Sequence, residues 1–313
     1  MKSFMLTLVS FLIVSSSSIA APSEKIVTLK TETRTLEGTL LTPETKDKIP
    51  VALIIAGSGP TDRDGNNPLM QNNSLKMLAS ELFKNGIATL RYDKRGIGQS
   101  KMTNLNESEL RFDNYIQDAK EWLDFLKRNQ KFNQIIVIGH SEGSLIGMIA
   151  SHQKDVDKFI SIAGSGQPAD QIIREQLKAQ PTIISEQSTP ILDKLSHGET
   201  VKDVPPLLQS LFRPSVQPYL ISWFQYDPQE ELAKFKKPIL ILQGTTDIQV
   251  SVKDAEILAK ANQRAQKIII NDMNHIMKKS ELDRQKNLLT YSQPDLPIKT
   301  ELIKATVDFI KQK

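Results

Sequence analysis

Ile135-Ile136-Val137-Ile138-Gly139-His140-Ser141-Glu142-Gly143 is the stretch that decides how the rest of this chain is read. Four consecutive β-branched aliphatic residues make a strand buried on both faces, as parallel sheets require. Residues 142–152 read as a helix, so the serine sits on the turn between strand and helix. It is bracketed by glycines two positions away on either side, in the one G-x-S-x-G of the chain. A serine on so sharp a turn takes strained backbone angles, and side chains at 139 and 143 would collide across it. The turn lifts the hydroxyl clear of the sheet. It also aims the following backbone N–H groups and the helix N-terminus at an incoming carbonyl. Gly147, one turn on, lets that helix pack closely. Ser141 is therefore the candidate nucleophile.

The strand–helix rhythm extends in both directions. Residues 26–41 alternate apolar and polar, broken at Glu32-Thr33-Arg34, and read as an antiparallel hairpin at a sheet edge. Residues 51–56 form an apolar run ending in Gly57-Ser58-Gly59-Pro60, a second strand buried on both faces. A helix over 74–84, stopped by Asn85-Gly86, precedes a strand over 87–92. Phe112, Tyr115, Ile116, Ala119, Trp122, Leu123 and Leu126 then mark one stripe of a helix. A strand near 159–163, a strand over 238–243, a helix over 252–261, a strand over 267–270 and a C-terminal helix carrying Ile303, Val307 and Ile310 complete the pattern. The expected class is α/β, with a mostly parallel central sheet covered by helices on both faces.

Residues 167–232 interrupt the rhythm. They hold Pro168, Pro181, Pro190, Pro205, Pro206, Pro214, Pro218 and Pro228, with helical fragments and no buried strand. Leu207, Leu208, Leu211, Phe212, Leu220, Ile221, Trp223 and Phe224 need something to bury against, which argues against a disordered linker. The expectation is a helical cap inserted between core segments 21–166 and 233–313.

At the N-terminus, Lys2 precedes an apolar run from Phe4 to Val14. Small residues follow, ending in Ser18-Ile19-Ala20. This is the layout of a secretory signal peptide over 1–20, and the run is short of the ~20 residues a membrane span needs. An uncleaved anchor is the alternative; export to the periplasm or the exterior is the expectation, with no stable membrane span after cleavage. The 40 Lys and Arg against 36 Asp and Glu give a net charge of only +4, spread along the chain, so a nucleic-acid partner is not expected. The absence of cysteine excludes a thiol nucleophile, thiolate metal sites and disulfides.

A serine hydroxyl needs a base, and the chain has four histidines. His140 lies inside the turn and is expected to pack locally. His152 ends the following helix, where a cation is favoured. His197 sits beside Gly198 in the inserted segment and reads as a surface loop residue. His275 remains, directly after the last expected strand, where a loop can carry an imidazole over the C-terminal edge of the sheet. Asp247, in the loop after strand 238–243, is the candidate acid that would hold that imidazole; Asp272 is the rival, with Asp254 more remote. The order Ser141, Asp247, His275 is the order of serine, acid and histidine expected after such a turn. An oxyanion would be held by backbone N–H groups of Glu142 and of the loop after strand 51–56, Ser58 being favoured and Gly59 the alternative.

Two other stretches resemble ligand loops without fitting them. Asp62-Arg63-Asp64-Gly65-Asn66 lacks the spacing and the late glutamate of a calcium loop and reads as a turn with internal Asp–Arg pairing. Asp93-Lys94-Arg95-Gly96-Ile97-Gly98-Gln99-Ser100 lacks the signatures of a phosphate loop. No metal and no cofactor are expected.

AGSGPTDRDGN at 56–66, RYDKRGIGQS at 91–100, GHSEG at 139–143, GTTDIQV at 244–250 and MNHIMK at 273–278 together resemble bacterial α/β-hydrolases related to the serine aminopeptidase (S33-like) group. The resemblance implies the α/β-hydrolase fold and a Ser-Asp-His triad. It also implies that Asp93 and Arg95 shape the rim of the site without performing chemistry. Relatives include carboxylesterases, lipases, acyltransferases and peptidases. Carboxylic esters are the favoured substrate class, because the inserted segment is apolar. A peptidase reading requires an acid such as Glu175, Glu186, Glu230 or Glu231 to face Ser141, and a non-catalytic binding module is the contrary class. The sequence does not set the oligomeric state.

Overall fold

Alternate residues of the apolar strands should serve opposite faces of the sheet, and in the computed structural model they do. The structure describes residues 24–103, 106–152 and 155–312; the leader expected over 1–20 lies outside them. Strands β1 (Glu24–Lys30), β2 (Arg34–Leu41), β3 (Ile49–Ile55), β4 (Ala88–Tyr92), β5 (Lys101–Met102), β6 (Phe132–His140), β7 (Lys158–Ile162), β8 (Ile239–Gly244) and β9 (Ala265–Ile270) form one sheet. Its order is β1-β2-β4-β3-β6-β7-β8-β9, with the short β5 paired to β2. From β4 to β9 every neighbouring pair is parallel, whereas β1, β2 and β4 pair antiparallel at one edge.

Val51, Leu53 and Ile55 of β3, Val137 of β6 and Ile241 of β8 join one buried layer. It contains α2 (Phe112–Lys127), α3 (Glu142–Ala150) and α9 (Val252–Ala261). Ala52, Ile54, Ile136, Ile138, Leu240 and Leu242 join the other, with α1 (Ser74–Lys84) and the C-terminal α11 (Thr300–Lys311). This period-two division explains why the central strands are apolar throughout.

The chain passes from β3 through α1 to β4 on one side, then returns through α2 to β6 on the other side of β3. The crossover directions diverge there, and the loops at the C-terminal ends of β3 and β6 border a crevice of the kind in which open α/β sheets bind ligands.

Between β7 and β8 lie α4 (Ala169–Lys178), α5 (Thr182–Ser196), α6 (Gln209–Phe212), α7 (Gln217–Trp223) and α8 (Pro228–Lys234). The first four share a separate apolar cluster that includes Ile173, Leu192, Leu195, Phe212 and Leu220. Helix α8 packs on α3 and α9 of the sheet layer. A short α10 (Arg284–Leu289), absent from the sequence-based expectation, follows the loop after β9. Among the described residues no helix is long and apolar enough to cross a membrane.

Candidate active site

Strand β6 ends at His140, and Ser141 turns the chain into α3 with φ 55° and ψ −123°. A non-glycine residue in such a conformation costs on the order of 1–3 kcal/mol and persists only where its surroundings over-determine it. Here the Ser141 N–H donates to the Ile162 carbonyl at 2.9 Å, and the Ser141 carbonyl accepts the Ser144 N–H at 2.9 Å. The flanking glycines are required by space. A Cβ at Gly139 would lie 2.3 Å from the Gly143 carbonyl oxygen, and one at Gly143 would lie 2.4 Å from that of Ile55. The loop after β3 also comes close, since a Cβ at Gly57 would lie 3.1 Å from the Ser141 Cβ.

The loops after β8 and β9 bring Asp247 and His275 together. His275 Nδ1 donates to Asp247 Oδ2 at 2.9 Å, and because an ionised carboxylate only accepts, the proton of a neutral imidazole lies on Nδ1 and Nε2 carries the lone pair. Asp247 also accepts the Gln243 amide at 3.0 Å and the backbone N–H groups of Gln249 at 2.8 Å and Val250 at 3.0 Å. Burial opposes its ionisation, yet the adjacent His275 and the backbone N–H groups of Val250 and Gln249 outweigh burial and hold the carboxyl below its ordinary pKa. The rival Asp272 is exposed, at a turn with φ 55°, and Asp254 is buried at the start of α9, where it accepts the Gly166 N–H.

His140 does more than pack locally. Its Nε2 donates to the His275 carbonyl at 2.7 Å, and the two rings lie 4.9 Å apart. Burial, followed by the neighbouring imidazole, pushes its pKa down to about 4, so the ring is neutral at pH 7. Ser141 thus stands beside His140, which braces His275, which is held by Asp247. Among the described residues Ser141 Oγ makes no hydrogen bond to His275. The other two histidines lie elsewhere: His152 contacts the Glu231 carbonyl of α8 at 3.1 Å, and His197 is exposed at the end of α5.

The loops that carry His275 and Asp247 are joined by residues that sequence reasoning passed over. Asn287 of α10 donates to the Thr246 carbonyl at 2.7 Å and to that of Glu281 at 2.9 Å; Asn274 donates to Thr290 Oγ1 at 2.7 Å. The acceptors of these two side-chain amides lie 6 to 41 residues away, and an isolated asparagine carries no local sign of such a role.

A cavity of about 560 Å³ opens over Ser141. Its floor includes Ser58, Lys94, Ser141 and Glu142; its roof includes Ile173, Leu211, Leu220 and Trp223 from the inserted helices. Glu142 is the first residue of α3, where a backbone N–H has no acceptor within the helix. Arg95, Gly96 and Ile97 line the wall, with Arg95 held by both oxygens of Asp118 at 2.6 and 2.7 Å. Asp93 accepts the backbone N–H groups of Arg63 and Gln99, each at 2.8 Å.

The expected Asp–Arg pairing inside 62–66 is not formed. Asp62 Oδ1 accepts the N–H groups of Asp64 and Asn66, each at 2.9 Å, which closes the turn. Arg63 is left to cross to Glu37 and to Asp93, the latter at 3.2 Å, and Asp64 pairs with Arg91 at 3.0 Å. Glu175, Glu186, Glu230 and Glu231 do not line the cavity; the acids that do are Glu107 and Glu142. Glu107 pairs with Arg213, whose hydrogen bonds lower the carboxyl's pKa.

A family profile described as serine aminopeptidase, S33, matches residues 71–202. Esterase EstD of Thermotoga maritima is 28% identical over 251 residues, 77% of this chain, which spans only 58% of that protein's length. Among solved structures, Est1E from Butyrivibrio proteoclasticus with bound ferulic acid superposes with a TM-score of 0.62 at 19% identity, covering 91% of this chain and all of that one. The Pyrococcus furiosus esterase Pf2001 superposes with a TM-score of 0.59 at 17% identity, covering 93% and 91%. At such identities the structural likeness is one of fold.

Proposed function

We propose that this chain, an α/β-hydrolase by fold, is an exported serine hydrolase that cleaves carboxylic esters of small or medium acyl chains through an acyl-enzyme on Ser141. The observation that carries this reading is Ser141, strained at φ 55° on the floor of an apolar cavity, with a buried Asp247–His275 pair behind it. Export rests on the leader-like residues 1–20, and residues 167–232 are read as a cap because they roof the serine.

In the proposed cycle His275 Nε2 takes the proton of Ser141 as its oxygen attacks the acyl carbon. The N–H groups of Ser58 and Glu142 receive the tetrahedral oxyanion. Collapse expels the alcohol, which takes its proton from His275. Water, deprotonated by His275, then attacks the acyl-enzyme, and the acid leaves as Ser141 recovers its proton. Asp247 keeps the imidazole in the Nδ1–H form and stabilises its transient positive charge.

An ester is favoured over a peptide with a free amino terminus because that terminus wants an unpaired carboxylate near the serine. Glu107 is paired with Arg213, and Glu142 is occupied by Lys94 and Tyr219. The names of the esterase relatives agree with this choice. A profile of p-nitrophenyl esters by chain length, run beside aminoacyl arylamides, tests it. Esters of short to medium chain are expected to turn over best; arylamides ahead by a wide margin would replace the esterase reading with a peptidase one. Competing alcohols in the same assay report acyl transfer as the corresponding new ester.

A further inference from the structure

We propose that Lys94 is the positioning residue of the oxyanion donors, setting the plane of the Gly57–Ser58 peptide and tying both donors, through Glu142 and Tyr219, to the cap helix α7. The inference rests on the ester-hydrolase reading and deepens it.

Lys94 follows β4 and is a buried residue of the cavity floor. Its ammonium donates to the Gly57 carbonyl at 2.6 Å and to Glu142 Oε2 at 3.2 Å, and it lies 5.2 Å from the centre of the Tyr115 ring. Gly57 O and Ser58 N belong to one peptide unit. In a trans peptide the C=O and N–H point in opposite directions, so an ammonium that fixes the carbonyl on its own side turns the Ser58 N–H away from itself. A charged donor on that carbonyl also polarises the unit and strengthens the N–H as a donor.

The second donor is reached through Glu142, whose backbone N–H follows the nucleophile. Its carboxylate is buried at the start of α3, where an unscreened negative charge would oppose an oxyanion forming nearby. Lys94 donates to one oxygen and the Tyr219 hydroxyl to the other, so both are occupied. Tyr219 belongs to α7, which makes it a direct polar tie between roof and floor. A buried ion pair is a poor way to gain stability compared with well-packed apolar side chains, so its place against both donors calls for another role.

The experiment compares wild type with Lys94→Met, the charge-balanced Lys94→Met/Glu142→Gln and Tyr219→Phe. It measures thermal melting, kcat and KM on the best ester, and Ki for a trifluoromethyl ketone analogue whose tetrahedral hemiketal oxyanion needs the oxyanion donors. The double variant leaves no buried unpaired charge and decides the matter if the single variant is poorly folded. Loss of aim should lower kcat about 10²-fold in the Lys94 variants and raise the ketone's Ki by a similar factor, with KM within about threefold. Tyr219→Phe should lose about tenfold in kcat, again with KM little changed. A folded Lys94 variant whose kcat and ketone Ki stay within about threefold of wild type overturns the inference. Wild-type protein with no Ser141-dependent hydrolysis would instead overturn the reading beneath it.

Discussion

The floor and the roof of the cavity are held by different means. Ser141 on the floor, and Asp247 and His275 behind it, sit in the turns and loops that follow parallel strands, and backbone geometry or buried hydrogen bonds fix each of them. The roof has its own apolar cluster and meets the floor through individual side chains. Tyr219 reaches Glu142, Gln176 reaches the Gln249 carbonyl, Ser222 accepts the Phe112 N–H, and Trp223 stacks on Phe112 at 5.8 Å. A floor built this way tolerates little change in geometry. A roof built this way can vary its side chains without moving the floor, so on the proposed reading substrate range and reaction type separate.

The largest expected effect lies on the floor. Asp247→Asn keeps the shape of the acid but presents an amide to His275, which favours the wrong tautomer. A loss of about 10⁴-fold in kcat is expected in protein that still melts cooperatively. If steady-state rates fall by less than about tenfold, Asp247 is not the residue that orients the base.

His140 sharpens the comparison through pH. Its folded pKa of about 4 lies below the ordinary value of 6.5, so below pH 6.5 the unfolded chain binds a proton that the folded chain refuses. Its contribution is level above 6.5 and falls as pH drops toward 4, by about 3 kcal/mol over the window. Asp247 acts in the same sense at still lower pH, because its depressed pKa makes stability fall as it is protonated. Urea unfolding at pH 7 and pH 4.5 should therefore show a smaller pH dependence in His140→Asn than in wild type. An unchanged dependence would mean that His140 is not held neutral against His275.

The smallest effect belongs to the roof. Trp223→Ala removes a large ring from the cavity wall, and the ester preference should move toward longer or bulkier acyl groups by about tenfold. The rate on the shortest ester should change much less. A uniform loss across all chain lengths would show that the roof also governs the chemistry and would break the division.

Floor and roof also differ in how far they can be read without a structure. The strands and helices of the core follow from local periodicity, and α1 and α9 span 74–84 and 252–261 as expected. Ser141, Asp247 and His275 could be named as candidates because glycines, strand ends and chain order are local signals, and the structure pairs the last two. Lys94, Tyr219, Asn287 and the brace made by His140 were not. Their contacts join residues 37 to 135 positions apart, with no periodic pattern. Arg63 misled for a related reason: the turn consumed Asp62 Oδ1 through its own backbone N–H groups, and the guanidinium found its partners across the sheet edge. The inserted helices could be foreseen as apolar and helical, but which side chains would face Ser141 depended on how the segment folds back.

The central claim is that Ser141 is an activated nucleophile. Intact-mass analysis after treatment with a fluorophosphonate tests it most directly, with wild type and Ser141→Ala compared under conditions where both melt cooperatively. The account predicts one adduct per chain in wild type, mapped to the peptide containing Ser141, and none in Ser141→Ala. A folded wild type that takes up no adduct, or a Ser141→Ala protein that is labelled as fast as wild type, would contradict it.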